Sequence, residues 1–162
     1  EELFEIFNEE VEDLSEQLVK EPAVQLGGQI SIRNLSFEYP SRPGEQVLQD
    51  ISMDISANQV VAVVGASGAG KTTITSLLLR LHQPTQGHIA FDGTDASSIP
   101  LSSLRSQIAL VPQDIFLFGG SIGENISYGD PDASREQVIE AAKQANAWNF
   151  IERFPEGLET LV

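Results

Sequence analysis

The run Val60-Val61-Ala62-Val63-Val64 passes without a break into Gly65-Ala66-Ser67-Gly68-Ala69-Gly70-Lys71-Thr72. No other feature restricts the fold of this chain so strongly. An uninterrupted apolar run of this kind predicts a strand buried on both faces of a parallel sheet. The glycine-rich stretch after it fits G-x-x-x-x-G-K-[ST], the pattern of a phosphate-binding loop between a strand and a helix. A triphosphate needs several backbone N–H groups converging on its oxygens, and glycines let the chain curl that closely. A helix starting at Thr72 points its positive dipole end at the same phosphates. Lys71 adds a full charge between the β- and γ-phosphates, and the Thr72 hydroxyl is a ligand for Mg²⁺. The chain has only three lysines, and one of them stands at the required position.

Around the loop the chain reads as a mixed α/β domain, β-rich first and then alternating strand and helix. Ile30, Ile32 and Leu35 lead through Phe37 and Tyr39 to the turn Pro40-Ser41-Arg42-Pro43-Gly44. Val47 to Ile55 alternates apolar and polar residues, as a half-buried strand does. Asn58-Gln59 predicts a tight turn. A helix is expected over Thr72–Leu81, a strand over His88–Phe91 and a short helix near Leu101–Gln107. A second buried strand is expected at Ile108–Val111. Asp130-Pro131 and Ser134 mark a helix start, with the helix running from about Glu136 to Ala147. Ile89-Ala90-Phe91-Asp92-Gly93 reads as an ordinary strand ending at a turn. Trp148 and Phe150 read as core anchors, and His82 and His88 as surface residues.

Length and charge bound what such a domain can do. At 162 residues there is room for one domain, or one domain and an appendage. With no Cys, disulfide scaffolds, zinc knuckles and cysteine nucleophiles are excluded. A net charge of −15 argues against nucleic acid and anionic lipid surfaces as partners, because phosphate backbones repel a polyanion. Nine of the 24 acids lie in residues 1–21, beside the single base Lys20. In that segment Leu3, Phe7, Val11, Leu14 and Leu18 follow helical spacing, which predicts an acidic amphipathic helix. It is either a helix packed on its own domain or a connector to an upstream part. Glu21-Pro22 ends it, and Gly27-Gly28 opens a new composition.

Four further features narrow the class, because the loop alone fits transporter motors, kinases, GTPases and helicases alike. The run Asn34–Pro40 upstream of the loop carries Tyr39, read either as a strand aromatic of the core or as a ring that stacks on adenine. Gln113 follows the second buried strand, where open α/β sheets bind ligands. Phe116-Leu117-Phe118 and Ser121–Ile126 come next, and Arg105 and Gln107 precede the Ile108–Val111 strand. In this order the residues resemble the nucleotide-binding domain of ATP-binding cassette transporters, most closely the exporter branch. The resemblance covers about Gln29 to Val162.

That resemblance implies an α/β fold of the P-loop NTPase type, a RecA-like core with an N-terminal antiparallel β subdomain. Residues 27–162 would be the N-terminal part of the domain, truncated before its signature motif. Residues 1–26 would be a connector helix and linker from a missing transmembrane region. Tyr39 would stack on adenine, so that Phe would serve there and Ala would not. Gly65, Ala66, Ser67, Gly68, Ala69, Gly70, Lys71, Thr72 and Thr73 would hold ATP. Lys71 and Gln113 would act in catalysis, and Thr72 and Gln113 would bind Mg²⁺. Phe116–Tyr128 would begin the helical subdomain that receives a coupling helix. The implied partners are a transmembrane domain and a second nucleotide-binding domain, head to tail, on the cytoplasmic face of a membrane.

Some of the family pattern is lacking. No Leu-Ser-Gly-Gly-Gln signature, no acid-tipped strand after Gln113 and no later switch His occur in the chain, and Asn58 stands where the family usually has Gly. Part of the parallel sheet would be missing, leaving the loop's strand without a neighbour. The rival readings are a soluble ATP-binding module outside transport, another P-loop enzyme such as a small-molecule kinase, and a fragment that binds no nucleotide.

Overall fold

A computed structural model describes residues 24–162, so the acidic helix expected over residues 1–21 lies outside the described residues. The chain forms two compact units, one ending at Leu110 and one running from Val111 to Val162.

The first unit is built on an antiparallel sheet in the order β2-β1-β3-β4. Its strands are β1 (Ile30–Glu38), β2 (Gln46–Ile55), β3 (Gln86–Phe91) and β4 (Thr94–Asp95). Strict alternation would turn Leu35 away from the face that buries Ile32. The ladder instead slips between these residues, with Asn34 at φ 46°, and both side chains are fully buried. An extra residue at such a bulge reverses the phase of the strand. Gly87 sits against the carbonyls of Arg33 and Asn34, where any Cβ would collide.

Helix α1 (Lys71–Leu78) and helix α2 (Leu101–Arg105) cover the sheet. Ile74 and Leu77 of α1 and Leu104 of α2 join Ile32, Leu35, Phe37, Leu48, Ile89 and Phe91 in one core. The expected turns are present. Asn58 takes φ 61° as Gln59 N–H bonds Ser56 C=O, and β3 ends at Asp92-Gly93 in left-handed geometry.

The two expected parallel strands are not formed among the described residues. Val60 and Val64 are 97% and 88% exposed, and Val111 is 92% exposed. An apolar run gains burial on both faces only from paired strands beside it and helices above and below. The antiparallel sheet closes its ladder without either run, so both stay at the surface.

The second unit contains α3 (Ile122–Ser127), α4 (Arg135–Gln144) and α5 (Trp148–Ile151). Its core is Val138, Ala142, Ile151 and Leu158, with Trp148 packed against it. Phe150, expected as a core anchor, is instead 61% exposed and pairs edge-on with Phe154. Ser121 and Ser134 each begin a helix with a reciprocal capping box, to Glu124 and to Gln137. Hydrogen bonds from the Ser121 backbone and side chain lower the pKa of the Glu124 carboxyl.

Candidate functional site

The site is assembled where the glycine-rich loop enters α1. Gly68 and Gly70 both take φ 80°, in the left-handed region that L-residues avoid. At Gly70 a second constraint acts, since a Cβ there would lie 2.6 Å from Leu48 Cδ2 and 3.1 Å from the Val47 carbonyl. Glycine therefore lets the loop close on β2. Gly70 is also the N-cap of α1 and offers no side-chain bond to the first-turn amides. Those amides are the unpaired donors of a helix start. The first turn of α1 carries no acid to compete for them. The result is an N-terminus fitted to an anion.

Lys71 follows directly, with Nζ donating to the carbonyls of Gly65 at 2.9 Å and Ala66 at 2.6 Å. The ammonium is thereby held over the loop's own concave side. Thr72 is exposed in the same turn, while Thr73 is 4% exposed and faces inward.

Tyr39 lies one residue past β1, with its hydroxyl 3.0 Å from Thr73 Oγ1. Its ring meets Phe37 edge-on at 4.9 Å and His82 edge-on at 5.3 Å. His82 was expected at the surface but is half-buried against these two rings, whereas His88 is exposed as expected. Sequence reasoning missed the Tyr39–Thr73 bond, because its partners lie in separate motifs 34 residues apart.

The loop, Tyr39 and Thr73 thus belong to the first unit and come together there. Gln113 belongs to the second unit, exposed on a bend with Asp114. Phe116, Phe118 and Tyr128 form an exposed aromatic ladder in that unit. Phe118 stacks on Tyr128 at 4.0 Å, and Phe116 meets Phe118 edge-on at 4.9 Å. Asn125 fixes this loop, accepting from Phe118 N–H and donating to the carbonyls of Phe118 and Ser121. The Ser-Ile-Gly-Glu-Asn run was visible in the sequence, but the role of its Asn was not.

The family described as ABC transporter matches residues 48–161. The chain is 42% identical over 160 residues to ABC transporter B family member 14 of Arabidopsis thaliana, covering 99% of this chain and 13% of that protein. It is 47% identical over 164 residues to heavy metal tolerance factor 1 of Caenorhabditis elegans, covering all of this chain and 20% of that protein. Among solved structures, a bacterial Atm1-family ABC exporter with ATP bound aligns with a TM-score of 0.84 at 38% identity. That alignment covers 99% of this chain and 28% of the exporter chain. The chain thus spans a fifth or less of the length of these two curated relatives.

Proposed function

The chain belongs to the ABC transporter family, and on that premise we propose that it is the nucleotide-binding part of an exporter, which couples ATP to transport across a membrane. The observation that carries this reading is the anion cradle itself: two left-handed glycines, an acid-free helix start and Lys71 over the loop.

In this reading the loop amides and Lys71 bind the phosphates, and the Lys71 ammonium stabilises charge as the β–γ bond breaks. Lys71 is already positioned by Gly65 and Ala66, so little reorganisation is needed when phosphate arrives. The exposed hydroxyl of Thr72 and the amide oxygen of Gln113 are hard oxygen donors, the type that suits Mg²⁺. In this reading Mg²⁺ would supply neutralising charge at the phosphate oxygens. Gln113 orients water, and Tyr39 offers its ring face to adenine.

The partners in this reading are a transmembrane domain, which meets the second unit near Phe116–Tyr128, and a second nucleotide-binding domain placed head to tail. The domain then works at the cytoplasmic face of a membrane. Among the described residues no helix is long and apolar enough to cross one. Residues 1–26 serve as the connector and 27–162 as the nucleotide-binding part.

The test is Lys71→Ala, titrated with a fluorescent ATP analogue. A charge-assisted contact contributes about 1.5–3 kcal/mol, so affinity should fall roughly tenfold or more. Unchanged affinity would overturn the phosphate assignment.

A further inference from the structure

Arg105, the last residue of α2, and Gln107, two residues further on, hold two different parts of the first unit. The phosphate-loop helix α1 ends in a Schellman arrangement, with Arg80 N–H bonded to Leu77 C=O and Leu81 N–H to Ser76 C=O. Arg80 occupies its left-handed position, at φ 52°. This arrangement does not use the carbonyls of Leu79 and Arg80. Arg105 takes both, Nε donating to Leu79 C=O and a terminal nitrogen to Arg80 C=O, each at 3.0 Å. The last turn of α1 has no basic residue of its own, so Arg105 supplies the cation that the negative end of the helix favours. Arg80 adds a second tie, donating to Ile99 C=O just before α2.

The other side of α2 grips the chain just before β1. Gln107 Oε1 accepts from Leu26 N–H at 2.8 Å while Nε2 donates to Val24 C=O at 2.6 Å. One side-chain amide thus imitates a neighbouring strand, pairing with both groups of an extended segment. Ser103 Oγ accepts from Val24 N–H, and Gln107 Nε2 also donates to Ser103 C=O. Leu104, between these polar residues, is fully buried in the core and seats the helix.

We infer that α2 is a rigid coupler between the segment at Val24–Leu26 and the C-terminal end of the phosphate-loop helix. Arg105 and Gln107 are its positioning residues. Phosphate acts at the N-terminus of α1, and α1 is a helix of only about 12 Å. A ligand that settles this helix settles the carbonyls held by Arg105, and through α2 the amide held by Gln107. Because coupling free energy is reciprocal, the position of the Val24–Leu26 segment biases nucleotide affinity equally. This inference rests on the proposed nucleotide binding.

Gly27 provides an internal control. Its N–H bonds Asp92 Oδ2 at the β3–β4 turn, with no part of α2 involved. Amide hydrogen exchange on the intact chain, with and without a saturating non-hydrolysable ATP analogue, reads both sites. Exchange at Leu26 should slow by about fivefold on binding, at the low end of measured couplings, while Gly27 changes little. Arg105→Lys keeps the charge but not the two-pronged donation, and should abolish the Leu26 effect. Gln107→Ala, far from the phosphates, should weaken nucleotide affinity by a similar factor. Equal slowing at Leu26 and Gly27 would mean general stiffening and would overturn the coupler. So would nucleotide binding, confirmed by titration, that leaves Leu26 exchange unchanged. Absence of binding in that titration would instead bring down the nucleotide reading, and the coupler with it.

Discussion

The phenol of Tyr39 and the hydroxyl of Thr73 lie 3.0 Å apart, joining the end of β1 to the first turn of the phosphate-loop helix. The aromatic side chain proposed to stack on adenine is also a tether on the loop. Stacking by itself would make Phe an equal substitute, and the tether changes that expectation.

Tyr39→Phe should leave nucleotide affinity close to wild type, because the ring face remains. Thr73, however, is 4% exposed and would lose its partner, so stability should fall by about 1 kcal/mol in urea unfolding. Tyr39→Ala should lower affinity as well. If Tyr39→Ala lowers stability with affinity unaltered, the ring is a core residue and not a platform for adenine.

Gly68 and Gly70 share a φ of 80° but differ in surroundings, which makes them a matched pair. Nothing lies within 4 Å of a Cβ on Gly68, so Gly68→Ala meets only backbone strain of about 1–2 kcal/mol. Gly70→Ala adds the collision with Leu48 and the Val47 carbonyl, a further cost of roughly 1–3 kcal/mol. Denaturation midpoints of the two variants measure the difference. Equal losses would contradict the close approach of the loop to β2.

Asp92 gives the fold a pH dependence at its acid edge. The backbone N–H of Gln29, then those of Gly27 and Gly28, stabilise its charged carboxylate and hold its pKa below the ordinary carboxylate value. A depressed pKa contributes stability that is present above the unfolded value and is lost as pH falls through the folded one. Asp92→Asn should therefore be less stable than wild type at about pH 7, with the gap narrowing toward about pH 3. A gap that stays constant across that range would show that the carboxylate's charge is irrelevant to the clasp.

The chain by itself should bind Mg-ATP at most weakly and turn it over at background. Hydrolysis of a γ-phosphate needs an oriented water, a group that activates it and charge stabilisation from all sides. In their proposed roles, Lys71, Thr72 and Gln113 would supply only part of that set. Sustained phosphate release that Lys71→Ala abolishes would mean that a catalytic base is present within these 162 residues and has been missed.

Features governed by near neighbours could be read from the order of residues alone. The phosphate loop is one, since its glycines, Lys71 and Thr72 are specified within eight consecutive positions. The turn at Asn58, the stop at Asp92-Gly93 and the start of α4 near Ser134 are others, because left-handed geometry and helix capping act over three or four residues. Burial is a different quantity. Val60–Val64 and Ile108–Val111 have the composition of central strands, yet a strand is interior only if other strands and helices flank it. Among the described residues nothing pairs with either run. Phe150 is exposed while His82 is half-buried against two rings for the same reason: polarity sets a tendency, and the neighbours that the fold delivers decide the outcome. The pairings that shape the site, Tyr39 with Thr73, Arg105 with the end of α1 and Gln107 with Val24 and Leu26, join positions 25 to 83 residues apart. Each was chemically possible from the side chains present, and only the path of the backbone selected it.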